Sequence, residues 1–426
     1  MYLRRVRIRN IRSISDLDWS IARDKAPGWH VIIGDNGAGK STFLRSIALA
    51  LVGPKEAFAL RQNWNDWLSR SKPSGEIKLG MSYNPKLDKF SGSGKISHRS
   101  LLPVELSFSR QQHEVELKKT NSTNANRHVW GNKSGWFSAS YGPFRRFAGG
   151  DKDVDRIFVS NPKLASHLSV FGENVALTES LNWLRELKFK KLEKGPEGRL
   201  LDSLKHFINQ DGFLPHKARL TEVSSKGVEF VDGNDRELLV EDLSDGYRSI
   251  LSMTFELIRQ LSRVYAASYI FNEDTTKIMA PGVVLIDEVD AHLHPTWQRR
   301  IGLWLREHFP KMQFIVTTHS PLICQAADVG TVWRLPKPGT NETGRMLDGT
   351  ELDRLLYGNV LDAYSTEAFG EDISRSEESK KKLQLLAELN YKELHGQLTS
   401  SERKEQEDLR AALPTSAHTV AGHASE

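Results

Sequence analysis

The N-terminal part of the chain alternates between the hydrophobic patterns of strands and of one helix. In the opening run MYLRRVRIRN, Val6 and Ile8 alternate with arginines, which predicts a half-buried strand with a basic outer face. The stretch WHVIIGDNGAGKSTFLRSIALALV contains an apolar strand, a glycine-rich turn and an amphipathic helix, an order typical of parallel α/β sheets. Short alternating segments across residues 75–119 predict an antiparallel subsheet.

Helical periodicity replaces this alternation farther along the chain. Between residues 160 and 213, Leu181, Leu184 and Leu187 recur at helical spacing, which indicates a separate helical lobe. A strand, WFSASYGP, comes before this lobe. The tract 120–135 that precedes the strand is polar and rich in turn residues, so it is predicted to be a surface loop or mobile insertion.

The C-terminal region has the pattern of a helical hairpin, with the helices SEESKKKLQLLAELNYKELHG and TSSERKEQEDLRAALP. Gly396 suits the end of the first helix, and Thr399 with Glu402 has the spacing of a capping box. Pro414 is expected to stop the second helix. Residues 415–426 are small and polar and are predicted to be disordered.

Composition and charge restrict the class of protein without defining it. With 426 residues the chain can bury a sizeable core in two or three lobes. The 59 basic and 54 acidic residues leave a net charge of +5, which permits contact with nucleic acid without arguing for it. The single cysteine, Cys324, excludes a disulfide framework and fits a reducing cytoplasm. No apolar run approaches the ~20 residues that span a bilayer, so the sequence predicts a cytoplasmic protein outside the membrane.

The glycine-rich turn carries the most specific motif of the chain. The run GDNGAGKS, residues 34–41, satisfies G-x-x-x-x-G-K-[ST] between a predicted strand and a predicted helix. In this pattern Gly37 and Gly39 let backbone N–H groups surround phosphate oxygens, Lys40 reaches the β and γ phosphates, and Ser41 offers a hydroxyl to magnesium. The alternative is a glycine-rich turn that binds nothing, which fits less well because motif and context agree.

Two further apolar strands end in polar residues that complement this phosphate site. GVVLIDE, residues 282–288, is predicted to lie beside the P-loop strand, where Asp287 would reach the magnesium shell and Glu288 the attacking water. QFIVTTHSP is an apolar strand ending near His319, which would contact the γ phosphate. A single histidine after a strand is usually structural, but here it completes a set.

The run LSDGYRSILSMTFELIRQL is a polar turn that opens a long amphipathic helix. Ser244 and Gly246 at its start would bind an anion through a hydroxyl, backbone N–H groups and the positive end of the helix dipole. Serine is also a common N-cap, and in isolation the structural interpretation would be favoured.

The acids and histidines of LIDEVDAHLHP could instead form a zinc or di-metal centre. With a P-loop present, Asp287 and Glu288 already have roles, so the metal is expected to arrive with the nucleotide and His292 and His294 to shape the following turn. The acidic run DKDVD, residues 151–155, lacks the glycine and distal glutamate of a calcium loop and is interpreted as a solvated loop.

The order of these motifs resembles that of ABC-type ATPases of the SMC and RecF kind. The resemblance implies an α/β fold, a P-loop ABC-ATPase head whose mixed sheet carries an antiparallel subsheet, with a helical lobe and a C-terminal helical hairpin. It implies ATP and Mg²⁺ as ligands. The residues that it assigns are, for the nucleotide, Gly34, Asn36, Gly37, Gly39, Lys40, Ser41, Thr42, Arg12 and Ser13; for a signature turn acting across a dimer, Ser244, Asp245 and Gly246; for catalysis, Glu288, Asp290 and His319; and for magnesium, Ser41 and Asp287.

The chain departs from this pattern at two points. Asp245 stands where many relatives have glycine. The glutamine that follows a strand in the family and contacts magnesium and water is not obvious, because Gln62 precedes the subsheet and the strand ending at Tyr141 carries none. The predicted domains are residues 1–159 (ATPase lobe), 160–280 (helical lobe), 281–335 (return to the ATPase lobe), 336–414 (C-terminal helical region) and 415–426 (tail).

A narrower resemblance comes from DEVDAHLHPTWQRR, TTHSPLI and YGPFRR, which are similar to small bacterial ATPases of the AAA_21 class. Many of these belong to antiphage systems of the Septu, retron-associated or PARIS-like kind. This resemblance implies an ATP-driven switch that forms a homodimer or a higher even oligomer and controls an effector nuclease. A DNA-repair or chromosome-handling head acting directly on DNA is the alternative, and a transporter motor subunit is a third, less favoured one.

Two surfaces are candidates for partner contacts. Arg7, Arg9, Arg145 and Arg146 are candidate contacts for the phosphate backbone of DNA, with an affinity that should depend on salt. The leucines of the C-terminal hairpin form a helical stripe that must be buried, either against an effector protein or against the chain's own helical lobe. The stripe consists of Leu383, Leu386, Leu389 and Leu394.

Overall fold

The computed structural model describes most of the chain as two compact units, Met1–Ala363 and Tyr364–Glu426. The described residues are 1–84, 88, 101–112, 114–119, 123–131, 136–147, 160–172, 177–340, 342–359, 363–364, 366, 369 and 376–413. The acidic run 151–155, Pro414 and the C-terminal tail lie outside them.

The strands of the described residues are β1 (Tyr2–Ile11), β2 (Ile14–Ser20), β3 (Gly28–Ile33), β4 (Ser74–Ser82), β5 (Leu102–Gln111), β6 (Glu114–Lys119), β7 (Ser138–Tyr141), β8 (Arg219–Val223), β9 (Val228–Val231), β10 (Glu237–Leu239), β11 (Gly282–Ile286), β12 (Met312–Thr317), β13 (Gly330–Arg334) and β14 (Arg345–Met346).

The α-helices are α1 (Lys40–Val52), α2 (Pro54–Ala57), α3 (Thr123–His128), α4 (Pro162–His167), α5 (Glu179–Leu192), α6 (Arg199–Ile208), α7 (Asp245–Val264), α8 (Ala267–Ile270), α9 (Pro295–His308), α10 (Pro321–Cys324), α11 (Gly349–Tyr357), α12 (Glu377–Leu394) and α13 (Ser400–Ala412). Short 3₁₀ turns occupy Phe58–Leu60, Trp64–Asp66, Leu168–Val170, Pro196–Gly198, Pro215–Lys217, Val240–Asp242 and Gln325–Val329.

The central sheet has the order β14-β13-β3-β12-β11-β7. All its neighbours are parallel except β14, which pairs antiparallel with β13. The prediction that β11 lies directly beside the P-loop strand β3 is wrong, because β12 runs between them. Both β11 and β12 are buried along their whole length, and a continuous apolar run does not specify which buried strand is the neighbour.

A second, antiparallel sheet has the order β2-β1-β4-β5-β6, which confirms the predicted subsheet and adds the two N-terminal strands to it. Val6 and Ile8 of β1 are buried, as their alternation with arginines predicts. Helix α1 contacts strands of both sheets. Since it is covered on two sides, this helix is apolar around most of its circumference rather than along one stripe.

The region predicted to be helical contains α4 to α8 and also a small sheet. Leu181, Leu184 and Leu187 of α5 are buried, as their spacing predicts. A three-stranded antiparallel sheet of order β10-β9-β8 lies between α6 and α7 in the chain, and the helical interpretation missed it. The long helix α7 carries a buried ion pair. The Nε and Nη2 atoms of Arg259 each donate to the Glu256 carboxylate at 2.7 Å.

The polar tract 120–135, predicted to be a loop, contains the helix α3. Ala125, His128 and Val129 of this tract are buried. The Trp130 indole donates to the carbonyl oxygen of Ala50 at 2.8 Å, which attaches the tract to the end of α1. The loop prediction is therefore wrong for this helix, because three buried side chains and one tryptophan outweigh a polar composition.

Two histidines lie in the core of the first unit. The His30 ring contacts the Thr331 hydroxyl at 2.9 Å and the Ala26 carbonyl at 3.2 Å, and burial lowers its pKa to about 4. His167 bridges the hydroxyls of Ser138 and Ser140 on β7, and burial lowers its pKa to about 3. Both rings are therefore neutral at physiological pH, and their hydrogen bonds attach β3 and β7 to their surroundings.

The second unit contains the predicted hairpin. Thr399 and Glu402 form the capping box at the start of α13, and Gly396 follows α12 with a φ of 66°. Leu386, Leu389 and Leu409 form a small core, which accounts for two leucines of the predicted stripe. Leu394, by contrast, is 84% exposed.

None of the helices in the described part of the chain combines the length and the apolar composition that a membrane span requires.

Candidate active site

The P-loop connects the end of β3 to the start of α1. Gly37 and Gly39 have φ values of 81° and 99°, in the left-handed region that glycine adopts readily. A Cβ at Gly39 would meet the Ser13 hydroxyl and Ile14 at 3.0 Å. The Lys40 ammonium donates to the carbonyls of Gly34 at 2.8 Å and Asp35 at 3.0 Å, so the side chain is folded back over the loop.

Acidic side chains surround this lysine at the carboxyl end of the central sheet. Burial lowers the pKa of Lys40, and the nearby carboxylates of Glu288, Asp287, Asp35 and Asp290 oppose that shift. Since these interactions act over short distances, the P-loop and the end of β11 form one electrostatic site. The structure thus brings together residues that lie about 250 positions apart in the sequence.

Two threonines at the end of β12 hold the acidic turn that follows β11. The Thr317 hydroxyl donates to the Asp287 carboxylate at 2.6 Å and accepts from the Glu288 backbone N–H at 2.8 Å. The Thr318 hydroxyl donates to the Asp290 carboxylate at 2.6 Å. Parallel pairing of β11 with β12 makes these contacts possible, because it brings both strand ends to the same edge.

Glu288 has a strained backbone conformation. Its φ of 47° lies in the left-handed region, which is uncommon for a residue with a side chain. Such a conformation costs about 1–3 kcal/mol and persists only where the surroundings hold it. At this turn the backbone N–H of Glu288 bonds to Thr317, and its carbonyl accepts from Arg145 at 3.1 Å.

His319 follows β12 and has an exposed side chain. Desolvation and the positive charge of Lys40 lower its pKa, while the carboxylates of Asp290, Glu288 and Asp287 oppose this shift. The imidazole is therefore predominantly neutral at physiological pH, with one nitrogen able to donate a hydrogen bond and the other able to accept one.

Arg145, a candidate DNA contact, is only 5% exposed, so the structure contradicts that assignment. Its guanidinium donates to the carbonyls of Gly142 at 2.8 Å, Asp287 at 2.9 Å, Glu288 at 3.1 Å and Val289 at 3.5 Å. Burial lowers its pKa to about 10, so the side chain remains positively charged at neutral pH. The sequence offered no signal for this burial, because arginine is far more often exposed than buried.

The sequence left two positions for the family's glutamine: Gln62 and the end of the strand at Tyr141. Gln62 accepts a hydrogen bond from the Trp67 indole at 2.7 Å, a structural contact between two 3₁₀ turns. The strand β7 does pair with β11, and Tyr141 lies opposite Ile286. The described segment that leaves β7 toward the acidic turn carries Arg145 rather than glutamine.

The proposed signature turn lies at the start of α7, next to the turn that follows the acids. Ser244 is the N-cap residue and is exposed, yet within the described residues its side chain makes no capping hydrogen bond. A Cβ at Gly246 would meet the His292 carbonyl at 3.0 Å, so the two turns are in contact. Asp245 forms an ion pair with Arg248. The Ser244 hydroxyl is therefore free of the structural role that usually accounts for an N-cap serine.

Arg12 and Ser13, which lie between β1 and β2, are the two candidate nucleotide contacts near the start of the chain. Ser13 lies against Gly39. The Arg12 guanidinium stacks over the Trp67 ring, 4.6 Å from its centroid, and the Arg12 backbone N–H donates to the Trp67 carbonyl at 2.8 Å. Burial and the neighbouring Arg45 lower the pKa of Arg12.

The histidines after the acidic turn have identifiable local contacts. His294 is the N-cap residue of α9, and its ring accepts a hydrogen bond from the Thr296 backbone N–H at 3.4 Å. Pro295 begins that helix, as the sequence predicts. His292 has a φ of 65° and presents its carbonyl to Gly246. In the described ranges no cluster of three or more His, Cys, Asp or Glu residues could hold a metal ion by itself.

The basic face of β1 is paired with acids. Arg5 and Arg7 donate to the Asp18 carboxylate, each at 2.8 Å through its Nε. Arg9 contacts Asp16 at 3.4 Å and lies 3.6 Å from Glu76. Most of the positive charge on β1 is therefore neutralised at short range, because each of these arginines has a cross-strand carboxylate.

The residues present fit a magnesium nucleotide. The close approach of Ser13 to Gly39 leaves no room for a side chain in the loop, and an open backbone turn ahead of α1 is a cradle for phosphate. The Ser41 hydroxyl at the start of α1 and the Asp287 carboxylate, oriented by Thr317, are hard oxygen ligands of the kind that magnesium prefers. Lys40 would supply the cation for the terminal phosphates of such a nucleotide.

This fold and this site define a class: a P-loop protein with an AAA domain, whose mixed central sheet is joined by an antiparallel second sheet. Residues 83–325 match the family described as "AAA domain, putative AbiEii toxin, Type IV TA system", and the chain belongs to that family. The crystal structure of an SMC head bound to the C-winged helix domain of ScpA aligns with a TM-score of 0.50 at 16% identity, over 82% of this chain and 99% of that chain. That likeness is one of fold.

Curated relatives carry defence-system names. The Septu protein PtuA of Bacillus mycoides (strain KBAB4) is 26% identical over 324 residues, which cover 75% of this chain and 38% of PtuA. The retron Vc95 probable ATPase of Vibrio cholerae serotype O1 biovar El Tor is 23% identical over 380 residues, with 75% of this chain and 71% of that protein covered. The chain thus spans well under half of the PtuA that it matches. The resemblance to AAA_21-class proteins of Septu and retron systems, which the sequence motifs indicate, is confirmed.

Proposed function

We propose that this chain is the ATP-binding and ATP-hydrolysing switch subunit of a prokaryotic antiphage defence complex. The observation that carries the proposal is the convergence of Lys40, Asp287, Glu288 and His319 on one edge of the central sheet. The similarity to Septu and retron proteins supports the defence role. Direct DNA binding has less support, because Arg145 is buried and the arginines of β1 are paired with acids.

In this proposal each side chain has a distinct task. The P-loop N–H groups and Lys40 bind the triphosphate, and Lys40 exchanges its two loop carbonyls for phosphate oxygens. Glu288 orients the attacking water and accepts its proton. His319, neutral because partial desolvation and the charge of Lys40 lower its pKa, donates a hydrogen bond to the γ phosphate. Magnesium, when bound through Ser41 and Asp287, neutralises charge on the phosphates.

We further propose that two heads close on two nucleotides, with the Ser244 turn of one facing the P-loop of the other. The exposed Ser244 hydroxyl and the helix start support this arrangement, because both are left available for an anion. The Asp290 carboxylate, held by Thr318, lies in the same region as that turn, which contacts His292. Closure would then place each ATP between two heads, and the closed state would control the effector.

Ser244→Arg is expected to abolish ATP hydrolysis while leaving ATP binding to a single head unchanged, because the cation obstructs the turn and not the P-loop. Mixing this variant with Lys40→Ala provides a sharper measurement. Each heterodimer retains one complete composite site, so random mixing should recover about a quarter of the parent turnover from two inactive proteins. Equal, negligible turnover in the mixture and in both separate variants would contradict shared sites.

The effector is proposed to be a nuclease that docks on the C-terminal hairpin. The exposed Leu394 and Tyr391 on α12 support this proposal, because the hairpin's own core leaves them uncovered. Large exposed apolar side chains close together are typical of protein contacts.

Removal of residues 376–426 is expected to leave ATP hydrolysis intact and to abolish co-purification of the nuclease from the native host, measured by mass spectrometry. Leu394→Lys should weaken the same capture while the intact hairpin remains folded, because it changes an 84% exposed side chain. Glu407→Gln, on the exposed side of α13, is the matched control and should capture the partner normally. Loss of ATPase in the shortened chain would show that the hairpin belongs to the ATPase core.

A further inference from the structure

Arg145 uses its whole hydrogen-bonding capacity. A guanidinium has five N–H donors, and Arg145 has five acceptors: the Ser249 hydroxyl at 3.0 Å and the carbonyls of Gly142, Asp287, Glu288 and Val289. A buried arginine requires acceptors wherever it lies. Here, however, three of the acceptors are the consecutive carbonyls of the turn that carries Glu288.

These three carbonyls belong to Glu288 and to the residues on either side of it, so holding them constrains the backbone that carries the Glu288 side chain. The turn includes the left-handed φ of 47° at Glu288, a conformation that needs support from outside the turn. Thr317 holds the turn from the β12 side through the Asp287 carboxylate and the Glu288 N–H. Arg145 holds it from the other side, because the loop after β7 brings the guanidinium to the carbonyls.

Arg145 also connects this turn to helix α7. Its Nε donates to Ser249, which is buried one helical turn after the exposed start of α7 at Ser244. A displacement of that helix start would therefore be transmitted through Ser249 to Arg145 and on to the Glu288 carbonyl. A planar, rigid guanidinium is suited to this, because its donors cannot move independently of one another.

We propose that Arg145 is a positioning residue for hydrolysis: it holds the Glu288 turn in its strained conformation and links that conformation to the position of helix α7. The proposal rests on the ATPase activity proposed above. It extends that activity with a residue whose donors are all taken by protein acceptors and which acts through the turn that carries Glu288.

Arg145→Lys keeps the charge but loses the planar fork, so kcat should fall about 100-fold, as for a small misplacement of a catalytic group. ATP affinity, measured by equilibrium binding, should stay within about twofold of the parent, because the P-loop is unchanged. Arg199→Lys is the matched control, since this arginine at the start of α6 is exposed, and it should retain parent kcat and affinity.

Ser249→Ala tests the link to α7 without altering the charge or the carbonyl contacts. It should lower kcat severalfold, and it should have no further effect when combined with Arg145→Lys, because the shorter lysine has already lost the contact. Additive losses in the double variant would overturn the link to α7. Parent kcat in a folded Arg145→Lys protein would overturn the positioning role, as would a loss confined to ATP affinity or to thermal stability.

The parent protein distinguishes failure of this inference from failure of the proposed function. If the parent hydrolyses ATP in a Lys40-dependent manner and Arg145→Lys does so equally well, only the positioning role is wrong. If the parent binds ATP without hydrolysing it in any tested state, the proposed function is wrong and the inference falls with it.

Discussion

Replacing Glu288 by glutamine is expected to leave ATP binding intact while hydrolysis slows by about 10²–10⁴-fold, the usual contribution of general acid–base catalysis. Glutamine has nearly the same shape, so the turn between Arg145 and Thr317 should keep its conformation. The amide, however, cannot accept the proton of the attacking water. Single-turnover hydrolysis and equilibrium ATP binding would separate the two effects, and the closed dimer should accumulate with ATP.

The matched control for this variant is Glu307→Gln on α9, where the same chemical change falls on an exposed side chain. It should hydrolyse ATP at the parent rate. Parent-like turnover in Glu288→Gln would contradict the assignment of Glu288 and direct attention to Asp290, whose carboxylate is held by Thr318.

Lys40→Ala is expected to remove most of the affinity for ATP, about 100-fold or more, because charge-assisted hydrogen bonds to phosphate each contribute about 1.5–3 kcal/mol. The loop itself should survive, because the ammonium only donates to two carbonyls that can be hydrated in its absence. Equilibrium binding of a fluorescent ATP analogue would measure the loss, and a thermal melt would verify folding.

Lys55→Ala provides the control for Lys40→Ala, since Lys55 is an exposed lysine on the neighbouring helix α2. This variant should bind ATP as the parent does. Unchanged affinity in Lys40→Ala would contradict the P-loop assignment itself, whatever the hydrolysis rate.

Local patterns predicted the elements of this protein better than their arrangement. The P-loop, the capping box of α13 and the start of α9 at Pro295 each depend on residues within a few positions, and the structure contains all three elements. The order β3-β12-β11 was missed because the buried strands have the same apolar pattern. The pairing of such strands depends on contacts across the whole sheet, which periodicity does not encode.

In the candidate site, too, the residues next to clear local patterns could be predicted and a residue placed by distant contacts could not. Asp287 and Glu288 could be proposed from their place after an apolar strand, and His319 in the same way. Arg145 could not, because an arginine is exposed far more often than buried. Its burial depends on four backbone carbonyls and one hydroxyl that come from three separate parts of the chain.

Opposite charges alternate across β1, β2 and β4 on the outer face of the antiparallel sheet. The electric field of such a face cancels within a short distance. Beyond a Debye length, about 8 Å at physiological ionic strength, an approaching polyanion experiences Arg7 and Asp18 together rather than the arginine alone. Charge therefore accelerates encounters with this face only weakly. A partner that uses it must match the alternation at close range, so the face discriminates by pattern rather than by net charge.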